Sequence, residues 1–191
     1  GRGTGEAFQP IPDRVAHLVR RALEQVKLAQ LPNQQKKIAE IYYDREMGKG
    51  ELMRGSSTGM HMNAPRSVMR VLARMHEAGY GVRPLPQHED ELLKWLVDRG
   101  RLIGVWAPGE LDRLVRHGSP VLIPASQYLA WYESKVPAAR RQQMEDRWGP
   151  PPGRFMVWEN QGERFLVVPR IDLGNVILLP QPLRGEVHGK E

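Results

Sequence analysis

The run Ile38-Ala39-Glu40-Ile41-Tyr42-Tyr43 is β-branched and aromatic, and twenty residues follow it, Asp44 to Asn63, with four glycines, two serines and no apolar period. A helical period resumes only at Val68, Val71, Leu72 and Met75, after Asn63 and Pro65 have supplied cap and first-turn chemistry. Connections this long inside a domain are usually functional. Strand, long connection and helix form the opening of a βαβ unit, and so favour an α/β fold. In open α/β sheets the connections at the carboxyl ends of strands border the ligand crevice. The segment from Asp44 to Asn63 is therefore expected to face a ligand.

The remaining chain reads as helices in front and strands behind. Asp13 can cap a helix with Val15, Leu18, Val19, Ala22, Leu23 and Val26 at helical spacing, and one face of it is expected to pack. Further helices are expected from Glu89 to Arg99, from Pro108 to His117, from Gln127 to Trp131 and from Pro137 to Trp148. Trp148 is expected to be a buried anchor for the proline run Pro150-Pro151-Pro152. Val121-Leu122-Ile123 reads as a short buried strand or an extended link, and Phe165-Leu166-Val167-Val168 and Asn175-Val176-Ile177-Leu178-Leu179 read as strands joined by a turn around Leu173-Gly174. The expected architecture is α/β: a mixed, mostly parallel sheet flanked by helices, in a single domain excised from a larger multidomain subunit. Its boundaries are a flanking segment and helix over 1–34, the α/β domain over 35–185 and a tail over 186–191.

Several chemistries are excluded outright. The 191 residues contain no cysteine, so disulfides, thiolate metal sites and cysteine nucleophiles are impossible. Gly48-Lys49-Gly50 lacks the spacing of a P-loop, no G-x-G-x-x-G follows the first strand, and H-E-x-x-H is absent. Any ATP used in the process is then hydrolysed by another chain. The mean hydropathy is −0.52 and no apolar run is long enough to span a bilayer, so a soluble, cytoplasmic protein without membrane partners is expected.

Net charge is +6, with 21 arginines against 7 lysines, which makes anions the natural partners. Of the six histidines most are expected on the surface. His61 differs because it shares the long connection with Asp44 and Glu46, and imidazole with carboxylate suits divalent metals such as cobalt. Met69 and Met75 read as helix-face residues, and Met47, Met53, Met60 and Met62 could line an adaptable apolar surface.

Four ordered stretches carry a family resemblance. They are Ile41-Tyr42-Tyr43-Asp44 with Gly48-Lys49; Asn63-Ala64-Pro65-Arg66-Ser67 with Ala78-Gly79-Tyr80; Arg147-Trp148-Gly149-Pro150-Pro151-Pro152-Gly153; and Gly174-Asn175-Val176 with Pro180-Gln181-Pro182-Leu183-Arg184-Gly185. Together they resemble the large subunits of cobaltochelatase and of magnesium chelatase, over about residues 36–185. Glu46-Met47 stand where the family has paired prolines, and the connection beyond Lys49 is longer than the common form.

The resemblance implies a domain that binds a tetrapyrrole and the metal. Cobalt, or magnesium, is the substrate metal, and hydrogenobyrinic acid a,c-diamide is the macrocycle of the cobalt branch in cobalamin synthesis. It further implies that ATP is spent by a partner AAA+ ring acting with an adaptor that bears a metal-ion-dependent adhesion site. On that reading Glu46 and His61 are the candidate proton acceptors, His61 also the transient metal ligand, and Gly48, Lys49, Asn175, Gln181 and Arg184 the candidate substrate-binding residues. Arginine forks and lysines would clamp the carboxylates at the rim of a corrinoid precursor. Two other readings stand beside this one. One is a basic nucleic-acid-binding module, motivated by Arg14, Arg20 and Arg21 on the first helix but lacking any reader motif. The other is a non-catalytic structural domain of the chelatase.

Overall fold

The computed structural model describes residues 10–42 and 64–182. In chain order the elements are α1 (Pro12–Gln30), a 3-10 turn (Asn33–Gln35), β1 (Ile38–Tyr42), α2 (Ala64–Glu77), α3 (Glu89–Arg99) and α4 (Pro108–His117). β2 (Val121–Pro124), α5 (Ala125–Lys135), α6 (Ala138–Trp148), β3 (Val157–Asn160), β4 (Glu163–Val168), β5 (Ile171–Leu173) and β6 (Val176–Pro180) follow.

Two three-stranded sheets result, with strand orders β1-β6-β5 and β2-β4-β3. The α/β class holds, but the expectation of one mostly parallel sheet does not. Among the described strands β1 and β6 alone run parallel, in the register Ile38↔Val176 to Tyr42↔Pro180, and the other three pairings are antiparallel. The physical reason lies in the short connections. Gly174, at φ +82, turns β5 directly back onto β6, and Gln161-Gly162 turns β3 back onto β4, both tight reversals that permit only antiparallel neighbours. Phe165–Val168 and Asn175–Leu179 thus belong to different sheets, and the turn at Gly174 serves β5 instead of β4.

Each sheet has its own core. Val68 and Leu72 of α2 and Leu92 and Leu96 of α3 press against Tyr42, Ile171, Leu173, Val176 and Leu178 of the first sheet. Leu72 and Leu92 are fully buried, which stabilises the fold by about 1.5–3 kcal/mol each. Met69 and Met75 pack on the edge of this cluster, as helix-face residues should. The second core gathers Leu102, Ile103, Leu111, Leu114, Met156 and Val167. Arg101 joins the two regions: its buried guanidinium donates to the Val97 carbonyl at 2.9 Å and pairs with Glu110.

Two expectations about packing fail. No residue of α1 is buried, and Leu18 is 69% exposed, so among the described residues nothing covers its apolar face. Trp148 is 56% exposed at the end of α6, with the Arg147 guanidinium 5.1 Å from the ring centroid, and it does not serve as a buried anchor. In both cases the sequence shows an apolar surface, while burial depends on a neighbour in space. No described helix is long and apolar enough to cross a membrane.

Candidate functional site

The parallel pairing of β1 with β6 decides where the candidate residues lie. At the carboxyl end of the pair Tyr42 stands opposite Pro180, and the Gln181 amide donates to the Tyr42 carbonyl at 2.8 Å. The ladder thus continues one bond beyond β6. Gln181 is half-buried and Pro182 exposed. From this edge the sequence runs on into the segment Asp44–Asn63, which ends where α2 begins at Ala64.

The floor beneath the edge is fixed. Tyr42 is buried, and its hydroxyl donates to the carbonyl of Gly100 just past the end of α3. A Cβ at Gly100 would collide with that hydroxyl and stand 3.3 Å from Cα of Leu96, so any larger residue there must displace the Tyr42 ring. Two residues before Tyr42, and on the same face of β1, lies Glu40 in register with Leu178. Its Oε2 is buried and finds no hydrogen-bond partner. Burial holds the Glu40 carboxyl above the usual range, so the proton is retained to higher pH than on an exposed glutamate.

Asn175 sits at the opposite end of the strand. It precedes β6, with its amide donating to the Gly81 carbonyl at 2.9 Å and its carbonyl accepting from Ile38 at 2.8 Å. Its side-chain Nδ2 donates to the Gln34 carbonyl at 2.6 Å. Six residues of extended chain, roughly 20 Å, separate it from Gln181. Asn175 is therefore a strut between the 3-10 turn and β6, remote from the carboxyl edge. The other candidates, Glu46, Gly48, Lys49, His61 and Arg184, lie outside the described residues, as do Met47, Met53, Met60 and Met62. His17, His76, His88 and His117 are all exposed. Among the described residues no group of three or more His, Asp or Glu side chains could hold a metal ion.

Glu40 is the titratable group that reasoning from the sequence misses. Its signal is present: it is the one acid in the alternating run Ile38-Ala39-Glu40-Ile41-Tyr42, at an inward position.

The family described as CobN/Magnesium Chelatase matches residues 2–191. The H-type magnesium-chelatase subunit of Chlorobaculum parvum is 26% identical over 183 residues, covering 96% of this chain and 13% of that protein. The aerobic cobaltochelatase subunit CobN of Pseudomonas aeruginosa is 28% identical over 152 residues, covering 76% of this chain and 11% of that protein. Among solved structures, the catalytic subunit of cobaltochelatase from Mycobacterium tuberculosis superposes with a TM-score of 0.65 at 23% identity, over 94% of this chain and 14% of that one, a likeness of fold. The chain thus spans between a tenth and a seventh of the length of these relatives.

Proposed function

Because the chain belongs to the CobN/magnesium chelatase family, we propose that its residues 35–185 contribute a tetrapyrrole- and metal-binding surface to a chelatase large subunit, at the carboxyl edge of β1 and β6. The observation that carries the proposal is the Gln181 amide bonded to the Tyr42 carbonyl at 2.8 Å. It makes the end of β1, after which the sequence continues toward Asp44–Asn63, and the start of the Gln181-Pro182 corner neighbours, at the end of the sheet where α/β folds bind ligands.

Metal insertion requires the ring to give up its inner N–H protons, one from a corrin and two from a porphyrin, while a desolvated cation arrives at the ring. In this proposal Glu46 and His61 are the groups that receive what the ring releases, and His61 holds the cation in transit. Lys49 and Arg184 clamp rim carboxylates, with the Gly48 backbone and the Gln181 amide side chain beside them. The substrate metal is cobalt, and the macrocycle is hydrogenobyrinic acid a,c-diamide, the family's cobalt branch, in a cytoplasmic subunit. A P-loop is absent from the sequence, so ATP would be hydrolysed by a partner AAA+ subunit coupled through its adaptor.

Absorbance titration with hydrogenobyrinic acid a,c-diamide tests the reading. Saturable binding is expected, weakened about tenfold by Arg184→Ala or Lys49→Ala, since each removes a charge-assisted contact. Binding that is absent from the folded wild-type chain, or unchanged in both variants, would overturn it.

A further inference from the structure

A groove of about 380 Å³ runs along the outer face of α2, away from the carboxyl edge of the sheet. Its floor is a stripe formed by Val71, Met75 and Ala78, at positions i, i+4 and i+7, continued by the ring of Tyr80. Val71 is 45% exposed although it is β-branched, apolar and in the middle of a helix. One end of the groove is pinned: Asn33 Nδ2 donates to the Ala78 carbonyl at 2.8 Å, and Lys36 Nζ stands 5.8 Å from the centroid of Tyr80.

The rim is cationic. Arg70 and Arg74 flank the stripe one turn apart. Arg70 makes no ion pair or hydrogen bond among the described residues, and Arg74 pairs only with Glu77, both side chains largely exposed. Lys36 adds a third positive charge at the Tyr80 end. An apolar stripe beside three cations, of which among the described residues only Arg74 has an acidic neighbour and that one solvent-exposed, is complementary to an apolar stripe bordered by acids.

Shape selects the kind of occupant. The groove opens widely to solvent, whereas sites for small molecules bury most of the ligand's surface. A stripe at i, i+4, i+7 matches the anchors of a helix laid lengthwise. Charge excludes the unpartnered helix of the chain itself. α1 carries Arg14, Arg20, Arg21 and Lys27 against Asp13 and Glu24, so neither it nor the α1 of a second copy would relieve the cationic rim. We propose that this face of α2 docks an acidic amphipathic helix of a partner protein, its apolar side on Val71, Met75 and Tyr80 and its carboxylates on Arg70, Arg74 and Lys36. The proposal is independent of the substrate assigned to the sheet edge.

The test uses fluorescence anisotropy on the whole chain with two synthetic 18-residue probes, each a leucine-striped helix, one flanked by Glu and the other by Lys. The Glu probe should bind saturably, weaken about tenfold in Arg70→Glu/Arg74→Glu and in Val71→Asp, and weaken steeply with added salt in the wild type; the Lys probe should not bind. The substituted residues are exposed, and circular dichroism checks their fold. The salt series needs no variant at all. Equal binding of both probes, or Glu-probe binding indifferent to salt and to the variants, would overturn the proposal. So would self-association abolished by Val71→Asp, or protoporphyrin IX binding that only these variants remove.

Discussion

Replacing Glu40 exposes the energetics of the sheet most directly. One carboxylate oxygen is buried beside Leu178 with no partner, and an unsatisfied buried polar group costs about 1–3 kcal/mol. Glu40 is only half-buried, so the lower end, about 1 kcal/mol, applies. The sign follows from proton uptake. Near pH 4 both states hold the proton. As pH rises past the ordinary glutamate value of 4.5 the unfolded chain ionises while the fold still keeps the proton, so stability falls until the raised native value is passed. Glu40→Gln should therefore be close to neutral near pH 4 and stabilising at pH 7.5. Glu40→Leu should stabilise further at pH 7.5 by filling the site with apolar surface. The expected gain in Tm is about 2–4 °C for a chain of this size. Thermal unfolding followed by circular dichroism from pH 4 to 8 measures it. A Glu40→Gln difference that does not change with pH, or a loss of stability at pH 7.5, would refute the reasoning.

Three further outcomes are expected. Asn175→Ala should lose the bond to the Gln34 carbonyl and about 1 kcal/mol in chemical denaturation while leaving macrocycle affinity unchanged, whereas Gln181→Ala should lose affinity in the absorbance titration. Gly174→Ala should destabilise by about 1–2 kcal/mol in urea unfolding, because φ is +82 and the new Cβ would stand 3.1 Å from the Gly81 carbonyl oxygen. Arg101→Ala should cost about 1–2 kcal/mol by the same measurement, chiefly because the Val97 carbonyl loses its donor while Glu110, partly exposed, keeps Arg113; no loss at all would refute the tie.

Long elements are legible in the sequence and short ones are not. β1 is rich in β-branched and aromatic residues and β6 is a continuous apolar run, and α2, α3 and α4 have clear helical periods with proline or glycine at their ends, so each is placed within a few residues. β5 is three residues long and β3 is half polar, and a period of two cannot be recognised over such spans. Without them the two-sheet division stays hidden, and so does the antiparallel character of most pairings. For α1 the period identifies an apolar face correctly but cannot supply a partner. Of the candidate site, the rule for carboxyl ends of strands points to the end of β1, and the pairing with β6 that brings the Gln181 corner beside it is seen only in the structure. The strut role of Asn175 does not, because it depends on Gln34, 141 residues away in the chain.

That separation has a consequence for biogenesis. Of the described strands, the first to leave the ribosome is an edge strand whose neighbour in the sheet is the last one synthesised. Until that final segment emerges, Ile38 to Tyr42 have no ladder to join, and the helices made in between must wait against an unfinished surface. Release of a nascent chain before Val176 would therefore yield a product with its first sheet unassembled and its proposed ligand edge unformed, however complete its helices.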